Sequence, residues 1–143
     1  MENKELDTFI PKPWEPKKNN IFLVNFPEEF GIEVWTINSI SKPKYIDGKW
    51  GNILITFRDP IGPSVSEALF KFLKNQINID KKVNFDLNIQ SLDPTSVVIE
   101  DWLINVEEIL SFDFGELDVS DDNCQLVSIV IKPLNCELLD LKK

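Results

Sequence analysis

Apolar and polar residues alternate along most of this chain with a period of two, which sends neighbouring side chains to opposite faces of a strand. The cleanest instance is residues 83–90. Phe85, Leu87 and Ile89 share one face there, and Asn84, Asp86, Asn88 and Gln90 share the other. Residues 52–58 repeat the pattern through Ile53, Ile55 and Phe57. Two further runs, 21–26 and 33–40, are rich in Val, Ile, Phe and Trp and flank a Pro27-to-Gly31 turn, so they read as a hairpin. Residues 97–106 and 126–132 complete six strands, with Pro133 expected to end the last. In the fifth strand the alternation slips at Glu100-Asp101, where a bulge would accommodate two adjacent acids. Residues 42–51 read as a polar loop, 92–96 as a turn, and 113–123 as a long acidic loop.

One stretch changes period. After Asp59-Pro60-Ile61-Gly62-Pro63, the residues Val65, Leu69, Phe72, Leu73 and Ile77 fall on one helical stripe, with Lys71, Lys74 and Asn75 opposite. Ser64 and Glu67 have the spacing of a capping box, so a helix is predicted over about 64–78. The fold class is therefore mainly β with one α-helix, an antiparallel sandwich or small barrel. Residues 1–20 carry Pro11, Pro13 and Pro16 and read as an extended arm; residues 21–143 form one domain. Phe9, Ile10 and Trp14 are too apolar for a purely solvated arm and are expected to dock on this domain or on a neighbouring subunit. Trp35 and Trp102 are expected as core anchors. Trp50 suits either the core or a contact between subunits.

Charge narrows the function classes. The 143 residues carry 15 basic and 24 acidic side chains, and residues 83–131 hold 11 of the acids with no Lys or Arg. Such a surface repels phosphate instead of holding it. The chain has no histidine and two cysteines, Cys124 and Cys136, which removes the commonest catalytic base and a four-ligand zinc site. Two buried or half-buried free thiols are expected. No apolar h-region opens the chain and no apolar run approaches about 20 residues, so neither a signal peptide nor a membrane span is expected.

The sequence Asp113-Phe114-Gly115 matches the kinase metal-binding triplet by chance, since the other kinase motifs are missing. The acidic loop lacks the ligand alternation and central glycine of an EF-hand. No nucleophile elbow or phosphate loop occurs. No catalytic, metal-binding or cofactor-binding residue is expected, and no enzyme activity.

The second half resembles the tail tube proteins of contractile-tailed, T4-like bacteriophages. The resemblance begins at Lys81 and runs through the strand 84–90, Leu92-Asp93-Pro94-Thr95 and the strand with Trp102. It continues with Phe114-Gly115-Glu116-Leu117-Asp118-x-Ser120-x-Asp122 and a closing strand of alternating Val and Ile. A looser match covers the Ile53-to-Phe57 strand and the helix ending at Leu73. Where the family often has a glycine soon after the tryptophan strand, this chain has Asn105-Val106-Glu107-Glu108.

The resemblance implies a structural virion protein without enzymatic activity or cofactor. Its subunits form homohexameric rings that stack, and each adds strands to a ring-wide inner β-barrel with the helix outside. The implied partners are further copies of itself and the tail sheath, tape measure and baseplate or neck proteins. DNA would pass through without specific binding, and no membrane is involved. The particle location is the virion tail, after assembly in the host cytoplasm. Asp86, Glu100, Asp101 and Glu33 are the expected lumen or rim acids. A tube initiator or terminator of the baseplate or tail-completion type, or a secretion-system tube protein, would share the fold.

Overall fold

The computed structural model describes residues 15–79 and 84–141, with side chains as far as Gln76 in the helix. Phe9, Ile10 and Trp14, most of the 1–20 arm, the Ile77 side chain and Val83 lie outside the described residues. Six strands form one antiparallel sheet: β1 (Phe22–Asn25), β2 (Ile37–Ile40), β5 (Ile53–Arg58), β6 (Phe85–Leu92), β7 (Val98–Asp113) and β8 (Leu126–Leu138). Their order is β1-β6-β7-β8-β5-β2. A small hairpin, β3 (Tyr45–Ile46) with β4 (Lys49–Trp50), sits apart. The single α-helix among the described residues, α1, spans Val65–Ile79.

The sheet curls on itself. The 3-10 turn Val34–Thr36, which leads into β2, packs against β1 at the opposite edge. The result is a nearly closed antiparallel barrel, consistent with the right-handed twist of strands. The inward positions are those set by the period of two. Ile53, Ile55 and Phe57 on β5, Leu87 and Ile89 on β6, Ile104 and Val106 on β7, and Val127, Ile129 and Ile131 on β8 are all buried. Each such side chain stabilises the fold by about 1.5–3 kcal/mol relative to exposure. Helix α1 joins this core through Val65 and Leu69, with Phe72 stacked on Phe30 at 4.5 Å between ring centroids. Lys71, Lys74 and Asn75 are exposed on its far side, as the stripe requires.

Helix α1 begins where Asp59 turns back over it. One carboxylate oxygen of Asp59 accepts the backbone N–H of Val65 at 2.8 Å and of Ser66 at 3.3 Å, and also the Ser64 hydroxyl at 3.1 Å. The Ser64 hydroxyl in turn accepts the N–H of Glu67 at 3.3 Å, the Ser half of the expected capping box. The Ser66 hydroxyl donates to the other Asp59 oxygen at 2.5 Å. Burial raises the Asp59 pKa, but this bond first, and then those from the Ser66 and Val65 N–H groups and the Ser64 hydroxyl, outweigh it and hold it below the usual carboxylate value. Asp59→Ala is expected to destabilise the fold by about 1–2 kcal/mol, the range for losing a helix cap. Chemical denaturation checks it.

The structure corrects several strand expectations. The runs 21–26 and 33–40 do not pair as a hairpin: β1 pairs with β6, and β2 pairs with β5 on the far edge. Pro27 and the 3-10 turn Glu28–Phe30 send the chain across the barrel instead of back along β1. Residues 34–36 are that second 3-10 turn, not strand, and Trp35 is 57% exposed there, so it is no core anchor. The loop 42–51 contains the β3–β4 hairpin. Its two-residue turn, Asp47-Gly48, has positive φ at both positions, the signature of a tight hairpin.

Strand β7 extends to Asp113 instead of ending at Val106, and β8 runs through Pro133 to Leu138. Both continue because register shifts absorb their misfits. Val106 pairs with Pro133 and Asn105 with Asn135, leaving Leu134 bulged, while Glu107 and Leu110 bulge on β7. A proline lacking an N–H is tolerated at such a bulge. The four residues Asn105-Val106-Glu107-Glu108, where the resembling family often has glycine, thus lie within a strand. The expected bulge beside Glu100-Asp101 is present one residue earlier, at Ile99, between the pairs Ser91–Glu100 and Leu92–Val98.

Candidate functional site

The face of β1, β6 and β7 turned away from the core carries an array of amides and carboxylates, interrupted by Leu23 and Leu103. Period-two alternation places Asn25 on β1, Asp86, Asn88 and Gln90 on β6, and Asp101 and Asn105 on β7 together on it. Cross-strand hydrogen bonds tie them into a ladder. The Asn25 amide donates to the Asn88 carbonyl oxygen at 2.9 Å. The Asn88 amide donates to an Asp101 carboxylate oxygen and to the Trp102 backbone carbonyl at 3.0 Å. Gln90 donates to the other Asp101 oxygen at 3.4 Å. Further along, the Asn105 amide donates to Asn84 at 2.8 Å and to Asp86 at 3.0 Å. The amide N–H groups of Asn88 and Asn105 are thus directed into the protein's own acceptors. The ladder therefore leaves few donors for a passing phosphate and shows carboxylates instead.

The four expected acids part company. Asp86 and Asp101 stand on this ladder, Asp86 exposed and Asp101 half-buried. Glu100, one residue away, points through the sheet to the opposite side and is only 8% exposed. Glu33 is exposed, but it lies in the connection before β2; its backbone carbonyl accepts the Thr36 N–H at 3.1 Å and hydroxyl at 2.6 Å. The acidic half of the chain is therefore not one surface. Two of its acids are on the ladder, Glu100 is inside, and five, Asp113, Glu116, Asp118, Asp121 and Asp122, are gathered at the end of β7 and in the loop after it.

Glu100 is the centre of a second polar cluster. Its carboxylate forms ion pairs with Lys17 and Lys42, and accepts the indole N–H of Trp102 at 2.6 Å. Burial pushes its pKa up, but the two ammonium groups and the indole more than reverse this and hold it at about 2. Lys17 lies in the segment before β1 and Lys42 just after β2, so one carboxylate fastens both edges of the barrel to β7. Trp102 also meets Trp50 edge to face at 6.3 Å, and Trp50 meets Tyr45 at 5.0 Å. Trp50 is thereby half-buried against the core, and the hairpin β3–β4 is held down by aromatic contact.

The acidic loop 114–125 is shaped by its own short side chains. The N–H of Gly115 donates to Asp113 at 2.9 Å, that of Ser120 to Asp118 at 3.0 Å, and that of Asn123 to Asp121 at 2.9 Å. These are turns closed by aspartate side chains. Hydrogen bonds from the Ser120 backbone and then its hydroxyl lower the Asp118 pKa. Both cysteines are free thiols, but Cys124 is exposed in this loop instead of buried or half-buried, while Cys136 on β8 is buried and burial raises its pKa to about 11. Among the described residues no group of three or more His, Cys, Asp or Glu is placed to hold a metal ion.

Asp86 was legible on the polar face of its strand from the alternation alone, whereas Asp101 was expected only together with Glu100. The amide rungs Asn25 and Asn105 were not legible, because their strands gave no polar stripe. The lysines around Glu100 carried no signal, being 83 and 58 positions away in the chain.

No protein-family model matches the chain, and no curated protein matches it. Solved structures do. A chain in the cryo-EM structure of the PVC sheath–tube complex, an extracellular contractile injection system in the extended state, superposes with a TM-score of 0.70 at 15% identity, covering 94% of this chain and 97% of that one. A chain in the sheath/tube terminator structure of the same kind of system gives 0.68 at 17% identity, covering 88% and 98%. A chain in the baseplate structure of the anti-feeding prophage gives 0.61 at 14% identity, covering 90% and 99%. The curled sheet with one helix is therefore the tail-tube-type fold found in these contractile assemblies.

Proposed function

We propose that this protein is a tube subunit of a contractile tail or injection particle. It assembles into homohexameric rings that stack into a conduit, enclosed by a sheath and joined to baseplate and neck components. The conduit holds the tape measure protein during assembly, and later passes DNA or another cargo without binding it. The observation that carries this reading is the amide-and-carboxylate ladder of β1, β6 and β7 on a fold shared with a sheath–tube chain. A channel wall must be wetted but must not grip. Side-chain donors already bound to the wall's own acceptors meet that requirement, and Asp86 and Asp101 repel a polyanion. The two short edge strands, β1 and β2, each pair on one side only among the described residues, and strand pairing between copies would cover them. The proposed location is the particle, after assembly in the host cytoplasm.

A tube terminator or initiator is the second reading, favoured by the terminator and baseplate neighbours. Chain length does not separate the two, since the matched chains in those structures are covered to 98% and 99%. Light scattering and electron microscopy of the purified protein test both. Sixfold rings that stack into filaments are expected; rings that stop at one or two layers would favour the terminal role. A monomer at every concentration would refute tube assembly. In an assembled particle, Asp86→Lys is expected to slow delivery of a nucleic-acid cargo while rings still form. Unchanged delivery would remove Asp86 from the wall.

A further inference from the structure

We propose that the cleft between the barrel's two edges is the seat of a second copy of this chain, and that the acidic loop 114–125 of that copy occupies it. The cleft has a volume of about 240 Å³ and lies between β1, β2 and the end of β6. Lys17, Lys18 and Lys42 line it together with the apolar side chains of Phe22, Ile40 and Ile89. Glu100 answers one of the three positive charges, so the cleft stays basic in a chain that is strongly acidic. The loop is its complement. It carries Glu116, Asp118, Asp121 and Asp122 with no Lys or Arg, and presents Leu117 and Val119 at 82% and 109% exposure. The aspartate-closed turn at Asp118–Ser120 fixes the backbone between those two apolar side chains, so little order has to be gained on docking.

A copy cannot satisfy its own cleft. Lys17 and Lys42 meet Glu100, the third residue of β7, whereas the loop leaves β7 after Asp113. The thirteen intervening steps of strand correspond to roughly 40 Å when straight. Basic cleft and acidic loop thus sit at opposite ends of the longest strand. Joining them between copies makes a head-to-tail contact, which propagates instead of closing as a twofold dimer. In the proposed tube this is a contact between successive rings, and the inference rests on that reading for self-association.

The test uses two variants of the full chain on a Cys124→Ser background, Lys18→Cys and Val119→Cys, mixed and oxidised. A disulfide-linked heterodimer is expected at low salt, at least tenfold above a control pairing of Val119→Cys with Asp47→Cys, and reduced at 1 M salt. Separately, Glu116→Lys with Asp122→Lys is expected to shorten stacks at least tenfold while single rings persist, and Lys18→Glu added to that pair is expected to restore them in part. Cross-linking no better than the control, in protein that does assemble, overturns the loop-in-cleft contact and leaves the tube reading standing. Stacks of normal length in the Glu116→Lys, Asp122→Lys variant also overturn it. A wild-type chain that never self-associates removes both.

Discussion

Gly115→Ala is expected to destabilise the protein by about 3 kcal/mol, read as a fall of roughly 6–12 °C in Tm for a domain of this size. Two effects add. Gly115 has φ of +94°, a region that side chains with a Cβ rarely adopt. A Cβ there would also press into the backbone carbonyl of Leu126, well inside van der Waals contact. That carbonyl cannot easily yield. Leu126 opens β8 in register with Arg58, and the neighbouring Gln125 carbonyl accepts the Asp59 N–H at 3.0 Å. Relief must come from the loop side, at the expense of the hydrogen bond from the Gly115 N–H to Asp113. Gly48→Ala is the control. Its φ is +79°, but a Cβ there meets nothing within 4 Å, so only the conformational cost of about 1 kcal/mol remains. Equal Tm shifts for the two variants would show that the close approach to Leu126 contributes nothing.

Glu100→Gln is expected to cost about 2–3 kcal/mol at neutral pH. The carboxylate pKa is held at about 2 against an ordinary 4.5, and each unit is worth about 1.4 kcal/mol of differential stability. Because the folded value is depressed, this contribution is complete above pH ~4.5 and is lost as pH falls toward 2. Lys17 and Lys42 are both about half exposed, 52%, so they recover water when their partner is neutralised, which keeps the loss below that of a fully buried pair. Glutamine retains an acceptor for the Trp102 indole, so the substitution isolates the charge. Denaturation curves between pH 2.5 and 7 check it. The wild type should lose stability over the acid end of this window by about 1.5–2 kcal/mol more than the variant; parallel profiles would mean that the ion cluster does not hold the barrel edges.

The candidate surface was half visible in the chain. Asp86 and the amides around it announce themselves because one strand carries a full polar stripe, Asn84 to Gln90, opposite an apolar one. Asp101 and Glu100 could not be told apart, because which of two adjacent acids faces inward depends on register, and the bulge at Ile99 sets that register. The hairpin expected from 21–26 and 33–40 fails for a related reason. Local pattern identifies strands but not partners, and both runs found theirs across the sheet, on β6 and β5. The β3–β4 hairpin was readable in Asp47-Gly48, the strongest local turn signal in the chain, and was obscured by the polar residues around it.

The amino-acid sequence by itself determined six principal strands, one helix after the third of them, an apolar inner face and a strongly negative second half. These follow from periodicity, turn chemistry and charge, which act between near neighbours. Only the tertiary structure decided that β1 and β2 become opposite edges, that Pro133 sits inside a strand, and that Glu100 is enclosed by two lysines while Asp101 joins an amide ladder. Those outcomes depend on bulges, strand order and curling of the sheet. They bring together residues from 13 positions apart, Asn88 and Asp101, to 83 apart, Lys17 and Glu100, in pairings that no local pattern specifies.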